Sequence, residues 1–302
     1  MTTATPCIVV IGRHGQLAQE FADLPWTNDL RPHFLGRGEI DLFDTEALLA
    51  RFRTLAPVAV INSAAHTAVD LCESEPDLAL HLNCTLPATL AHAARLIGIP
   101  FVHVSTDYVF AGDRRLAYRE DDQTAPLSVY ARSKLAGEQA VLASGATALV
   151  VRSAGLFGRH GQNFLKTILA KAKAGQGQPI RMVTDQVSTP TPAAALAAAL
   201  RRMALDLAKG RTLPHLLHFT GQPAVSWFDF TATILAALSR TDTTPTPDLV
   251  PIRLEDVPRA AMRPLFSALD CRLARQLGYP LPDWRAALDP LVTGLIQERI
   301  AA

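Results

Sequence analysis

The stretch Cys7-Ile8-Val9-Val10-Ile11-Gly12-Arg13-His14-Gly15-Gln16-Leu17-Ala18 decides the fold. Five apolar residues in succession, with no polar alternation, read as a strand buried on both faces, which is the habit of parallel sheets. The strand runs straight into a GxxGxxA turn and then a helical pattern. Glycines at this junction let the backbone approach a pyrophosphate, and the helix that follows offers unpaired N–H groups and a positive dipole end. Ala18 is the small-residue variant of the third glycine. The motif alone is a weak signal, because a tight strand-to-helix turn uses the same residues.

Further apolar runs at Pro57 to Ile61, Pro100 to Ser105 and Ala148 to Val151 alternate with helical patterns. The clearest helix is expected over about Pro76 to Ile97, with Leu78, Leu82, Leu86 and Leu90 forming a buried stripe and Gly98 ending it. This predicts an α/β chain: a Rossmann-type doubly wound parallel sheet with a smaller C-terminal substrate-binding α/β domain. The expected division is a dinucleotide-binding domain over residues 1–152 and a mainly substrate-binding domain over 153–302, with about 187–220 returning to the first. In the second part, helices are expected around Asn163 to Ala174 and Ala193 to Lys209. A Gly/Gln-rich link covers Gly175 to Gln178, and a Pro/Thr-rich segment runs from Thr241 to Pro251.

Composition excludes several classes. The 302 residues are 49% hydrophobic and 19% charged, with a net charge of +1, far from the regime of disorder. Five Lys and twenty-four Arg form no basic run, so neither nucleic acid nor a polybasic membrane contact is expected. The uncharged stretch Gln186 to Leu200 is short of the roughly 18 residues of a spanning helix and carries Pro190 and Pro192. No signal segment is read at the N-terminus, so a cytoplasmic location is expected. Cys7, Cys72, Cys84 and Cys271 show no CxxC pairing and read as reduced, buried thiols.

Candidate chemistry gathers at the ends of the strands. Arg37, after the second strand, suits a 2′-phosphate, which favours NADPH with NADH as the alternative. Asp41 and Leu42 follow, Asp41 in a helix N-cap region. Asn62-Ser63-Ala64-Ala65-His66-Thr67 ends the third strand in small and polar residues that leave a cofactor room. His66 reads as part of that loop, not as a base. Ser105, Thr106 and Asp107 bring two hydroxyls and a carboxylate to the fourth strand's end, where hydroxyls can hold a carbonyl oxygen. Tyr130-Ala131-Arg132-Ser133-Lys134 sets a phenol and an ammonium four residues apart, on one helix face, with Ser128 as cap. An ammonium beside a phenol lowers its pKa toward neutrality and makes a usable proton donor. With four Tyr and five Lys, chance supplies such a YxxxK only roughly 0.07 times. His215 and His218 read as core residues, and no metal site is expected.

The strings GRHGQLA (12–18), INSAAHTAVDLCESEP (61–76), HVSTDYVFAG (103–112), APLSVYARSKLAGEQAV (125–141), DQVSTPT (185–191) and RPLFSALD (263–270) span nearly the whole chain. In order and spacing they resemble the dTDP-4-dehydrorhamnose reductase family of extended short-chain dehydrogenase/reductases. The resemblance implies a cytoplasmic NADPH-dependent reductase of the C4 ketone of a dTDP-linked 4-keto-6-deoxy sugar, most directly dTDP-4-dehydro-L-rhamnose. It places Gly12, Gly15, Gln16, Leu17, Asp41, Leu42, Ala65, His66 and Thr67 at the cofactor, with Tyr130 and Lys134, and the turn and strand ends add Arg13, Arg37, Ala64 and Ser105 as cofactor candidates. Thr106, Tyr130 and Lys134 match the family's catalytic triad. Thr106, Asp107, Gly155, Asn163 and Arg263 match substrate positions, and Asp185 and Gln186 lie in matching strings. A homodimer is allowed, and Glu20 matches one position at which some relatives bind Mg2+, although no metal is expected. Where the family commonly has tryptophan, Gly155 stands, which implies a wider sugar pocket and leaves the sugar open. The alternatives are a reductase, epimerase or dehydratase of another nucleotide sugar, or a non-catalytic regulatory subunit of the methionine adenosyltransferase type.

Overall fold

Successive residues of the first strand, β1 (Cys7–Ile11), point into two different cores. Ile8 and Val10 join Leu17 and Phe21 on one side, while Val9 and Ile11 join Leu48, Phe52 and Leu90 on the other. A strand covered on both faces needs no polar alternation, which is why its sequence has none. The computed structural model describes residues 5–174, 178–242 and 245–300. The Gly175–Gln178 link and the Thr241–Pro251 segment therefore fall partly outside the described residues.

The chain continues through α1 (Gln16–Asp23), β2 (Arg31–Leu35), α2 (Thr45–Leu55) and β3 (Ala59–Asn62). Next come α3 (Leu71–Ser74), α4 (Pro76–Leu80), a π-helical turn (His81–Thr85), α5 (Leu86–Leu96), β4 (Phe101–Thr106), α6 (Val129–Ala143) and β5 (Ala148–Ser153). The later elements are β6 (Leu156–Phe157), α7 (Phe164–Ala174), β7 (Ile180–Val183), β8 (Val187–Ser188), β9 (Thr191–Pro192), α8 (Ala193–Ala208) and β10 (Leu216–His218). After them follow β11 (Val225–Ser226), α9 (Trp227–Thr241), β12 (Leu249–Ile252), α10 (Arg272–Gln276) and α11 (Trp284–Ile300). Six strands form one parallel sheet in the order β10-β5-β4-β3-β1-β2. The order reverses between β1 and β3, and in open α/β sheets ligands bind outside the carboxyl ends of the strands at such a reversal.

A third core lies apart from the sheet. Phe157, Leu165, Ile168, Phe230, Ile234, Trp284 and Leu288 bring α7, α9 and α11 together. By contrast α8 packs on α1 and β3, and β10 pairs with β5, so the stretch between them belongs to the main sheet's own packing.

The helix expected as one α-helix over Pro76 to Ile97 is interrupted by the π-helical turn. One extra residue in that turn rotates everything before it, so Leu86 and Leu90 are buried while Leu78 is 43% exposed and Ala79 takes the inward place. Cys7, Cys72 and Cys271 are buried free thiols, and Cys84 is only half-buried. Among the described residues no helix is long and apolar enough to cross a membrane.

Candidate active site

A cavity of about 880 Å³ opens along the carboxyl ends of β1 to β5, lined by Gly12, Ser63, Thr106, Tyr130, Lys134 and Ser153 among others. Gly12 has φ +102, a conformation L side chains rarely adopt, and a Cβ there would stand 3.2 Å from Ser63 Oγ. Helix α1 begins at Gly15 with no side-chain cap, so its first N–H groups face the cavity unpaired by any side chain. Gln16 Nε2 and Ser153 Oγ are buried without a hydrogen-bond partner, and both residues line the same cavity. Uncapped helix N–H groups, a glycine turn and orphaned polar atoms fit a phosphate-bearing dinucleotide.

The expected cofactor residues Gly12, Arg13, Gly15, Gln16, Leu17, Arg37, Asp41, Leu42, Ala64, Ala65, Thr67 and Ser105 all line this cavity. Arg13 donates to Glu39 Oε1 at 2.8 Å. Asp41 accepts from Phe43 N, but the cap of α2 is Asp44, which accepts from Glu46 N and Ala47 N. His66 is not in the cavity wall. Its ring meets Glu75 at 3.2 Å, and its backbone N–H and C=O are both held by the Asn83 side chain. Asn83 comes from the π-helical turn and also donates to Ser133 Oγ, so that turn fastens the loop after β3 to α6. No short motif marks Asn83 in this role; only the fold brings residues 66, 83 and 133 together.

Helix α6 starts at Ser128, whose hydroxyl accepts from Ala131 N at 3.2 Å. It buries Tyr130, Lys134 and Glu138, a stripe at fourth-residue spacing. Thr106 Oγ1 donates to Asp107 Oδ1 and accepts from Tyr108 N. Thr106, Asp107, Tyr130 and Lys134 thus meet at one end of the cavity. The acidity of this group departs from the expectation drawn from spacing. Burial pushes the Tyr130 phenol up, with hydrogen bonding to Thr106 acting the other way. Lys134 donates to Val104 O at 2.7 Å, and burial pushes it down to about 8. Desolvation is the largest influence on the phenol, and among its other influences only the Thr106 hydrogen bond acts to lower it. Burial also raises the Asp107 carboxyl to about 6.

The expected substrate residues divide. Gly155 lines the cavity, together with Ser153, Ala154, Leu156, Gly161 and Gln162, which sequence reasoning missed. A Cβ on Gly155 would stand 3.3 Å from Pro190 Cα and 3.4 Å from Trp227 Cη2, so the space beside it is already taken, and the pocket is not simply widened. Asn163 uses its side chain within its own loop, donating to Gly158 O and His160 O and accepting from Lys166 N. Arg263 forms a two-pronged pair with Asp70 at 2.9 and 2.6 Å, which holds the Asp70 carboxyl at about 2. Neither lines the cavity. Asp185 accepts from Leu254 N, an organising role for its loop, and Gln186 donates to Pro264 O. His218 is buried in β10, and Glu20 is a buried carboxyl that desolvation raises. Among the described residues no three His, Cys, Asp or Glu side chains are grouped to hold a metal.

A family model described as "RmlD substrate binding domain" matches residues 6–296. The dTDP-4-dehydrorhamnose reductase of Sinorhizobium fredii is 34% identical over 298 residues, 96% of this chain and 98% of that one. A solved dTDP-4-dehydrorhamnose reductase structure from Clostridium acetobutylicum has TM-score 0.86 and 32% identity, covering 96% of this chain and 99% of its own. Another, from Bacillus anthracis in complex with NADP, has TM-score 0.85 and 29% identity, covering 95% and 99%.

Proposed function

The chain belongs to the dTDP-4-dehydrorhamnose reductase family, and we propose that it reduces the C4 ketone of dTDP-4-dehydro-L-rhamnose to dTDP-L-rhamnose with NADPH, NADH being the alternative donor. The observation that carries this reading is the meeting of Thr106, Tyr130 and Lys134 at the end of a cavity whose other end is the glycine turn and the uncapped start of α1. When bound, a reduced nicotinamide supplies hydride to the ketone carbon. Tyr130 gives its proton to the emerging alkoxide, Thr106 holds the same oxygen, and Lys134 orients the cofactor ribose and lowers the phenol's cost of ionisation. Gly12, Gly15, Gln16 and Leu17 hold the pyrophosphate, and Arg13 and Arg37 the adenosine ribose. Asp41 and Leu42 flank adenine, with Ala64, Ala65, Thr67 and Ser105 toward the nicotinamide and His66 acting behind the wall, where Asn83 holds its backbone and so fixes their loop.

In this proposal residues 1–152 build the dinucleotide site, residues 153–302 mainly the sugar-nucleotide site, and about 187–220 return to the first. Asp107 and Gly155 face the sugar, while Asn163 and Arg263 shape its nucleotide end. Four free cysteines support a cytoplasmic enzyme. The proposal includes a homodimer, which sedimentation velocity tests directly. Retention of all three catalytic residues favours a working reductase over a regulatory subunit.

The test is oxidation of NADPH with dTDP-4-dehydro-L-rhamnose. Turnover by the wild type is expected, with a loss of at least about 100-fold in Tyr130→Phe, the scale of acid–base contributions. Undiminished activity in Tyr130→Phe would remove the mechanism. Turnover of a different keto sugar alone would keep the chemistry and replace the substrate.

A further inference from the structure

From Ser105 in the cavity wall a buried polar chain runs behind the floor, and its other side chains have no part in the proposed function. Ser105 Oγ donates to Glu138 Oε1 at 2.5 Å. Arg152 grips the same carboxylate with two prongs, Nε to Oε1 at 2.9 Å and Nη2 to Oε2 at 2.7 Å. Arg152 Nη1 in turn lies 3.4 Å from His218 Nε2, and His218 Nδ1 lies 3.1 Å from Tyr118 O. All four side chains are buried. Burial and the nearby guanidinium hold His218 down to about 3, so its ring is neutral. A neutral ring that donates from Nδ1 to the Tyr118 carbonyl leaves Nε2 to accept from Arg152, the one tautomer that satisfies both contacts.

Burying a carboxylate and a guanidinium costs desolvation that a well-packed apolar pair would avoid, so such a pair is a poor device for stability alone. Its position gives it another use. Glu138 stands one helical turn after Lys134 on α6, and Ser105 follows Val104, the residue whose carbonyl receives the Lys134 ammonium. Two adjacent residues of β4 are thereby tied to two residues one turn apart on α6. We propose that Glu138, clamped by Ser105 and by an Arg152 that His218 backs, is a positioning residue that fixes Lys134 against β4 and keeps its ammonium charged for the reduction. This rests on the functional reading above.

The charges around Lys134 come from several elements. His103 lies on β4, neutral because burial holds it well below its usual range. Asp107 follows β4, Cys72 lies on α3 beside Tyr130, and Arg152 reaches in from β5. Glu138 acts on the ammonium in the direction that opposes burial. Removing its charge leaves burial unopposed at Lys134, so the ammonium discharges at lower pH. An ammonium needed for turnover is present below its pKa and lost as pH rises through it. The alkaline limb of kcat must then move to lower pH.

The chain has five lysines, so protein labelled with 13C at lysine Cε gives few resonances, and Lys134→Met assigns the one of interest. In Glu138→Gln its titration midpoint is expected to fall by at least about one pH unit, with the alkaline limb of kcat following. The cofactor KM should change far less than kcat. Glu138→Asp, which restores the charge, should return both toward wild type. Arg152→Gln removes a cation and should move the midpoint upward, which keeps the test alive if Glu138→Gln does not fold. An unmoved midpoint in folded Glu138→Gln, or a downward shift in Arg152→Gln, overturns the assignment. The NMR titration needs no turnover. A wild type whose Lys134 behaves as expected but which reduces no 4-keto sugar would support the positioning role and overturn the functional reading instead.

Discussion

Tyr130 and Lys134 stand one turn apart on α6, and burial pushes each toward its neutral form. Their spacing was legible in the sequence because fourth-residue neighbours share a helix face. Their acidity was not, because it depends on how much water the rest of the chain removes. Gly155 teaches the same lesson. The missing ring reads as open space in sequence, yet Trp227, brought from 72 positions away by the start of α9, stands against that glycine. Gly155 also has φ +51, where an L side chain is strained. Gly155→Trp should therefore destabilise the protein by about 1–3 kcal/mol, from backbone strain and overpacking together. Chemical denaturation of the variant measures this. A Gly155→Trp protein as stable as wild type would mean that Trp227 moves aside freely.

At the scale of elements, the π-helical turn is the feature that periodicity misread. A leucine every fourth residue looks the same whether or not one turn is wider, so the buried stripe was placed one position out at Leu78. The wider turn has a purpose in the packing. It points Asn83 inward and brings its carbonyl so near α6 that a Cβ on Gly137 would stand 2.0 Å from Asn83 O. Backbone, not a flexible side chain, is the obstacle, so relief requires α6 to move away. Gly137→Ala should cost about 1–3 kcal/mol or more, despite alanine's better helix propensity. It should also lower kcat, because Tyr130 and Lys134 ride on α6. A thermal melt and the NADPH assay on one preparation check both. Strands β1, β3, β4 and β5 and the helices α7 and α8 were readable because each carries a continuous apolar or periodic pattern, whereas α9 and α11, the latter with Pro290 inside it, were not read. The two-residue strands β6, β8, β9 and β11 were not, since pairs that short carry no period. The Asp70–Arg263 tie was equally invisible, joining residues 193 positions apart.

Across the whole molecule, near-zero net charge means that buried groups, not a surface field, set the response to pH. His103 and His218 are buried neutral, with His218 at about 3, whereas the unfolded chain binds their protons near pH 6.5. Their contribution is fully present above the unfolded value and is lost as pH falls toward the folded one, for His218 at up to about 1.4 kcal/mol per pH unit. Asp107 acts oppositely. Its folded value is raised from 3.8 to about 6, so the folded chain takes up that proton first and stability is regained as pH falls below 6. From about pH 6.5 to about pH 5 His218 loses about 2 kcal/mol and Asp107 returns about 1, while His103 loses stability in the same direction as His218. Glu20 and Glu120, both raised by burial, act in the same sense as Asp107, and His33, lowered by burial, acts with the two buried histidines. Lys134 changes between about 8 and its ordinary 10.5, outside this window. Cofactor-free protein should therefore unfold at lower urea concentration at pH 5 than at pH 7, with His218→Gln narrowing the difference because one proton-binding imidazole is gone. Equal urea midpoints at the two pH values would mean that His103 and His218 take up protons without unfolding, and that the buried chain from Ser105 to Tyr118 admits water.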